Sequence, residues 1–131
     1  MAADFTHAEI TASVIDAAVR LHQELGPGML ESAYELLLAD ELSRRGHEVE
    51  RQRTVRIVHR GRTVDRAFRI DLLIDRLVVV EVKCNERHSP VYRRQLLTYL
   101  RLMKLEVGLM LNFGLPTMKA GIARVINTQA R

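Results

Sequence analysis

The chain has 131 residues, which is enough for one domain with a single hydrophobic core and too few for two. Its 47% hydrophobic and 27% charged residues exclude an intrinsically disordered chain, and without a run of about eighteen apolar residues we expect no membrane-spanning helix. The formal net charge of +4 is compatible with a polyanionic partner but does not demonstrate one.

Two features predict a cytoplasmic protein. The first residues lack the basic and then apolar pattern of a signal peptide. The single cysteine, Cys84, excludes an internal disulfide and fits a reducing compartment. Because Cys84 has no companion cysteine, it is a poor zinc ligand, and we expect a thiol packed at the end of a strand.

Two helices are predicted first. Thr6 and Glu9 are spaced as a capping box, and Gly26-Pro27-Gly28 stops the helix that follows. A second helix ends at Arg44-Arg45-Gly46. The predicted apolar stripes are Ile10, Val14, Ala17, Leu21 and Leu25 in the first helix, and Leu30, Tyr34, Leu37, Leu38 and Leu42 in the second.

Strands dominate the rest of the chain. The predicted elements are a weak edge strand (48–52), a strand (54–59), a turn at Arg60-Gly61, a long strand to about Ile74, a strand (77–83), a helix from Ser89-Pro90, a strand (107–112), a turn (114–116) and a strand (121–126). We expect Ser89 to cap its helix and Val91, Leu96, Leu100 and Met103 to form its apolar stripe. The order predicts an α/β fold in which three meander strands are followed by a right-handed helical crossover to a parallel strand.

Ionisable residues at the end of one buried strand point to chemistry. The β-branched run before Glu81 is typical of a core strand, and side-chain alternation places Glu81 and Lys83 on one face. A second acid, Asp71, lies on the preceding strand. Buried charges are costly unless they pair or bind a metal. Two carboxylates and a lysine would suit a hard divalent cation and a water nucleophile.

For Asp71 and Glu81 to share a metal, the connection between their two strands must have a suitable number of residues. A two-residue turn at Asp75-Arg76 would place Asp71 opposite Val80, with Glu81 pointing the other way. A three-residue connection or a β-bulge would bring the two acids together. We therefore predict an odd-length loop or a bulge.

Arginines cluster on both sides of this region. Their guanidinium groups would contact phosphates or form the solvated faces of a hairpin and a helix, and composition alone leaves both interpretations open. They are Arg51, Arg53, Arg56, Arg60, Arg62, Arg66 and Arg69, followed by Arg87, Arg93, Arg94 and Arg101.

Asp71 followed by Glu81-Val82-Lys83 resembles the pattern of the PD-(D/E)xK nuclease superfamily, although Ile70 replaces the proline. The segment from Gly28 to Tyr34 matches the motif of the GxxExxY family of nucleases within it. The resemblance runs from about residue 14 to 126. It implies a single nuclease-like domain over 1–131, with 1–7 flexible, an extra N-terminal helix (8–25) and a restriction-endonuclease-like α-β-β-β-α-β core (29–126), whose mixed sheet is flanked by helices.

The resemblance also implies roles for individual residues. Asp71, Glu81 and the Val82 carbonyl would bind Mg²⁺ or Mn²⁺, and Lys83 would orient or deprotonate the attacking water. Glu31 matches a helical acid that RecB-type members add to the metal site. Gln95 and Tyr99 match a Q-x-x-x-Y element that supports the site or touches substrate.

Simpler interpretations remain open for several of these residues. Glu31 would equally complement a helix dipole, Asp71 would pair with Arg69 or Arg94, and Lys83 would lie on the surface. Tyr34 is expected to pack in the core with its hydroxyl bonded to a polar group. His22 would contact a phosphate or the metal site, or else lie on the helix surface.

The sequence thus predicts a metal-dependent nuclease acting on DNA, with RNA as the second candidate substrate, and with Arg93 and Arg94 contacting backbone phosphates. We expect a homodimer without membrane association, and a protein partner is one possible source of specificity. The alternative is a non-catalytic nucleic-acid-binding or regulatory subunit of a larger defence or repair complex.

Overall fold

The computed structural model describes residues 4–87 and 89–130. Within this part of the chain, no helix has both the length and the apolar character needed to cross a membrane. The first three residues of the predicted flexible start lie outside the described residues. Phe5 packs against the His47 ring, with 4.3 Å between the ring centroids.

The chain begins with two helices and continues as a meander of strands. The elements are α1 (His7–Leu25), α2 (Glu31–Arg44), β1 (Val49–His59), β2 (Arg62–Ile74), β3 (Val78–Lys83), α3 (Pro90–Met103), β4 (Val107–Asn112), α4 (Met118–Gly121), β5 (Ile122–Ile126) and a 3₁₀ turn (Thr128–Ala130). The Thr6/Glu9 capping box is confirmed. The separation of 48–52 from 54–59 is wrong: they form one strand, which passes through Gln52 at φ 52°.

The five strands lie in sequence order in one sheet. The first three form an antiparallel meander, α3 crosses over, β4 runs parallel to β3, and β5 returns antiparallel. This confirms the predicted mixed sheet and the α-β-β-β-α-β order with an extra N-terminal helix. The start of the last strand was wrong by one residue, because Gly121 closes the short α4.

Both faces of the sheet are covered. Side chains of α1 and α2 pack with Leu72, Ile74, Val80 and Val82 on one face. On the other face, Leu96 and Leu100 of α3 pack with Ile70, Leu73 and Val79. The central strand β3 is therefore buried from Val78 to Val82, which explains its continuous apolar run.

Four residues of the predicted apolar stripes are exposed: Leu25, Leu30, Leu37 and Val91. Leu30 is 77% exposed because it is the N-cap of α2 and lies outside the helix. Leu37 is off the line formed by Tyr34, Leu38 and Leu42, and Val91 precedes the part of α3 that faces the sheet. The N-cap prediction for α3 is partly wrong, since Ser89 occupies that position but its side chain makes no capping hydrogen bond.

The connection between β2 and β3 has the predicted odd length. Ile74 pairs with Val78, so three residues, 75–77, make the turn. Asp75 and Arg76 in this turn have φ values of 52° and 58°. The register that follows directs Asp71 and Glu81 toward each other.

Candidate active site

The two strands that carry the predicted acids separate just where the acids occur. Backbone pairing of β2 with β3 runs from Ile74↔Val78 to Leu72↔Val80. Beyond it, Asp71 Oδ2 accepts from the Val82 amide at 2.8 Å, and Glu81 Oε1 accepts from the Asp71 amide at 3.3 Å. These reciprocal bonds replace the ladder and hold both carboxylates in the opening between the strands.

A change in side-chain alternation places Asp71 in this opening. Phe68 and Ile70 pack on the α3 face of the sheet, whereas Leu72 and Ile74 pack on the α1 and α2 face. In a regular strand all four would share one face. The alternation of β2 therefore slips by one residue at Asp71, next to the position in β1 where Gln52 has a positive φ.

The carboxylates are close enough to disturb each other. Glu81 is only 5% exposed. Burial, the charge of Asp71 and a hydrogen bond between the two side chains together raise the pKa of Glu81 to about 9. Without a cation, Glu81 therefore keeps its proton at neutral pH. A divalent cation would replace this proton as the partner of both carboxylates.

A backbone oxygen faces the same opening. The Lys83 carbonyl accepts from the Phe113 amide at 2.8 Å and so points toward β4. Because the N–H and C=O of one strand residue point to the same side and successive residues alternate, the Val82 carbonyl points toward β2, as its amide does. The predicted ligands thus share one opening.

Two carboxylates and a carbonyl suit Mg²⁺ or Mn²⁺, which bind hard oxygen ligands and usually keep several waters. Within residues 4–87 and 89–130, no three His, Cys, Asp or Glu side chains are arranged to hold an ion together. The donor set therefore fits a cation bound through the acid pair, the carbonyl and water.

Glu31 lies at the first position of α2, at the rim of the opening. Burial raises its pKa, Lys83 lowers it, and Asp71 adds repulsion, so these groups are within electrostatic reach of one another. The Cys84 amide donates to Glu31. Cys84 itself packs against the core as predicted, and burial together with Glu31 raises the pKa of its thiol to about 11.

Lys83 ends β3 with its ammonium over an aromatic ring. Its Nζ lies 4.7 Å from the ring centroid of Tyr92, in the first turn of α3, which is a cation–π contact. The Tyr92 hydroxyl accepts from Asn85 Nδ2 at 2.9 Å. The side chain of Lys83 is therefore supported by α3.

The Q-x-x-x-Y element lies on α3, beside the acids. Tyr99 stacks on Phe68, with the centroids 4.2 Å apart. Burial raises the pKa of Tyr99, and the charges of Glu81 and Asp71 raise it further, which places its hydroxyl near the pair. Gln95 is exposed one turn earlier, and Arg93 and Arg94 are exposed beside it.

Tyr34 and His22 occupy structural positions. The buried Tyr34 donates to the Gly26 carbonyl, accepts from the Met29 amide and stacks on Phe113, as a packing residue with a bonded hydroxyl should. The surface interpretation of His22 is wrong: it is 6% exposed, and its Nε2 bonds to the Leu115 carbonyl at 2.9 Å. The loop after β4 covers this end of α1.

Two contributors to the site escaped the sequence analysis. Glu35 is 3% exposed and accepts from Arg51 Nη2 at 3.0 Å and from Gln52 Nε2. The same Gln52 nitrogen lies 3.4 Å from Asp71 Oδ1. The signal for Glu35 was available, because a carboxylate beside Tyr34 on a buried helix face requires partners. Among the described ion pairs, none joins Asp71 to an arginine.

A family model of the PD-(D/E)XK nuclease superfamily matches residues 8–125. The chain therefore belongs to this superfamily, and its five-stranded mixed sheet with flanking helices is a restriction-endonuclease-like fold. Membership implies nuclease chemistry on a nucleic acid substrate, for which such enzymes generally use divalent metals. No curated protein and no solved structure matches the chain.

Proposed function

We propose that this protein is a metal-dependent nuclease that hydrolyses phosphodiester bonds of DNA. The observation that supports this most directly is the pair of reciprocal bonds between Asp71 and the backbone of β3 and between Glu81 and the backbone of β2. They hold two acids in contact at the one place where the β2–β3 ladder opens. A purely structural protein has no need for two facing carboxylates.

In this proposal, Asp71, Glu81 and the Val82 carbonyl hold Mg²⁺ or Mn²⁺, and Glu31 contributes at the rim. When bound, the metal polarises the phosphate and lowers the pKa of a coordinated water. Glu81 would be ionised in that state, with the cation in place of its proton.

The other residues act on water and phosphate. The Lys83 ammonium, held over Tyr92, donates to the attacking water or to a non-bridging phosphate oxygen as negative charge develops there. Tyr99 and Gln95 contact substrate from α3, and Arg93 and Arg94 bind flanking phosphates. Attack in line with loss of the 3′ oxygen leaves a 5′ phosphate.

Cleavage assays with Mg²⁺ or Mn²⁺ test the proposal on linear, circular, branched and single-stranded DNA and on RNA. Parent protein is compared with Glu81→Gln and Lys83→Ala, and with Glu24→Gln as a control on the exposed end of α1. We expect the two site variants to lose about 100-fold or more in rate and the control to lose nothing. Cleavage that survives both site substitutions would refute the proposal.

The rival function is a non-catalytic nucleic-acid-binding or regulatory subunit, which the lack of a three-side-chain metal group among the described residues favours. Calorimetry with Mn²⁺ separates the two functions. Heat of binding that disappears in Asp71→Ala supports the nuclease. Equal absence of heat in both proteins supports the rival.

Three finer assignments belong to the same proposal. The segment from Gly28, with φ 114°, to Tyr34 supports membership of the GxxExxY family. The free thiol of Cys84 supports a cytoplasmic location. Cutting both strands of a duplex requires two sites, so we expect a homodimer with twice the 15.0 kDa chain mass, which light scattering measures.

A further inference from the structure

The β1–β2 hairpin extends beyond the rest of the sheet. Pairing of β2 with β3 is confined to residues 72–74, so residues 54–67, called the arm below, pair only within the β1–β2 hairpin. Every arm residue is exposed or half-buried. A free two-stranded ribbon has little core of its own, and its surface is available to a partner.

The arm is basic and lacks aromatic side chains. It carries four arginines, Arg56, Arg60, Arg62 and Arg66, against one acid, Asp65. Of the ion pairs in the described part of the chain, none includes an arm arginine. Proteins that grip single strands stack bases on aromatic rings, and the arm has no Phe, Tyr or Trp for this purpose.

The tip places an arginine where local preference disfavours it. Arg60 and Gly61, at φ 48° and 77°, form a two-residue turn between the paired residues His59 and Arg62. This is the type I′ geometry, which favours Asn-Gly. The tip therefore carries a guanidinium against the conformational preference of the turn.

The arm starts at the candidate site. Because β2 is antiparallel to β3, its N-terminal part continues past the end of β3 that carries Glu81 and Lys83. Asp71 and Arg62 are nine residues apart in β2, which corresponds to about 30 Å along the strand. This length spans roughly nine base pairs of B-form DNA.

We propose that the arm binds the phosphates of duplex DNA at a distance from the bond that is cut. A stiff duplex presents phosphates at this separation from the site, and a two-stranded ribbon also fits the width of the major groove. Guanidinium contacts with phosphates position the duplex without reading its sequence. The location of the cut rests on the proposed function, whereas binding by the arm does not.

The test removes charge without disturbing the turn. In the arm variant, Arg60→Asn creates the preferred Asn-Gly turn, and Arg62→Thr keeps a strand-forming residue. The matched control is Lys104→Asn with Lys119→Gln. Lys104 also has a positive φ, 58°, at the end of α3, so the same substitution removes a cation outside the arm. The Tm of the arm variant should equal or exceed that of the parent.

Fluorescence anisotropy then measures Kd for a 30-base-pair duplex, an 8-base-pair stem and a 30-nucleotide single strand at several KCl concentrations. For the long duplex, the slope of log Kd against log salt should fall by about 2 in the arm variant, with roughly 50-fold weaker binding at 0.1 M salt. The control should keep the parent slope. Both variants should bind the short stem with the same salt slope as the parent, because the stem ends before it reaches the tip of the arm.

Several results would overturn the arm proposal: an unchanged slope on the long duplex, an equal loss in the control, or an equal loss on the short stem or the single strand. Cleavage with Mg²⁺ separates this proposal from the proposed function. Arm-dependent binding by a protein that cuts nothing would refute the nuclease alone. Cutting with identical rates and affinities in the parent and the arm variant would refute the arm alone.

Discussion

Two buried polar clusters among the described residues are built on opposite principles. In the first, Asp75 accepts from His47 Nδ1 at 2.6 Å and from the Glu48 amide at 2.8 Å, while His47 Nε2 bonds to Ser13 Oγ at 2.9 Å. In the second, Asp71 and Glu81 face each other. The first cluster pairs donors with acceptors, whereas the second sets two carboxyl groups side by side.

The difference separates stabilisation from function. The cluster of Ser13, His47 and Asp75 links α1 to the turn between β2 and β3. Its side chains find their hydrogen-bond partners within the fold. Although its order of residues is that of a hydrolytic triad, Ser13 lies mid-helix and Asp75 is held by the backbone of Glu48. The repulsion within the acid pair is relieved by a proton or a cation from outside the fold. Repulsion between the two acids, added to the burial of Glu81, marks the candidate site.

Replacing an acid of the pair should have the largest effect on activity while leaving stability almost unchanged. Glu81→Gln mimics the protonated acid, so the metal-free protein at pH 7 should keep its free energy of unfolding to within about 1 kcal/mol. Cleavage with Mg²⁺ should fall by about 100-fold or more. Urea unfolding and initial cleavage rates measure the two effects, and a large loss of stability would contradict the comparison.

The acid pair should also make metal-free stability depend on pH. The pKa of Glu81 is about 9 in the folded chain against an ordinary value of 4.5, so between these pH values the folded state binds more protons than the unfolded state. Stability from this group is therefore lost as pH rises toward 9, by on the order of 3 kcal/mol between pH 6 and 8.5.

Urea unfolding in EDTA at both pH values measures this loss. Glu81→Gln, which leaves Asp71 and Lys83 in place, should remove it, and Mg²⁺ should reduce it by binding the ionised pair. If parent and variant respond to pH alike, Glu81 is not the group responsible.

A substitution in the cluster of Ser13, His47 and Asp75 should have the opposite effect, lowering stability and leaving activity unchanged. His47→Ala leaves the Asp75 carboxylate buried without its imidazole partner and removes the ring that packs on Phe5, so we expect a loss of about 3 kcal/mol in unfolding free energy. The folded fraction of the His47→Ala variant should retain the cleavage rate of the parent. A selective loss of rate in fully folded protein would show that this cluster takes part in catalysis.

The smallest effect is expected at Gln52, which links Glu35 to Asp71. Gln52→Asn suits the positive φ but is one methylene shorter and no longer reaches both acids. We expect about a tenfold higher Mg²⁺ concentration for half-maximal rate, as for other residues that orient metal ligands. A magnesium titration measures this change, and an unchanged midpoint would limit Gln52 to the fold.

Local patterns accounted for much of this molecule. The capping box, the helical periodicities and the apolar run of β3 reported the elements directly, and side-chain parity required the odd connection that brings Asp71 to Glu81. What escaped prediction depends on distant contacts. Gln52 takes a left-handed conformation within a strand, Tyr92 lies under Lys83, and a loop 93 residues away in sequence buries His22. None of these features produces a periodic pattern in the sequence.

The three-residue turn between β2 and β3 also limits how related chains diverge. A strand repeats its facing every second residue, so inserting or deleting one residue between 75 and 77 would rotate Asp71 away from Glu81 unless a bulge compensates. Changes of two residues preserve the facing. Viable length variants at this position should therefore occur in even steps, while the tip at Arg60-Gly61 is free of that restriction.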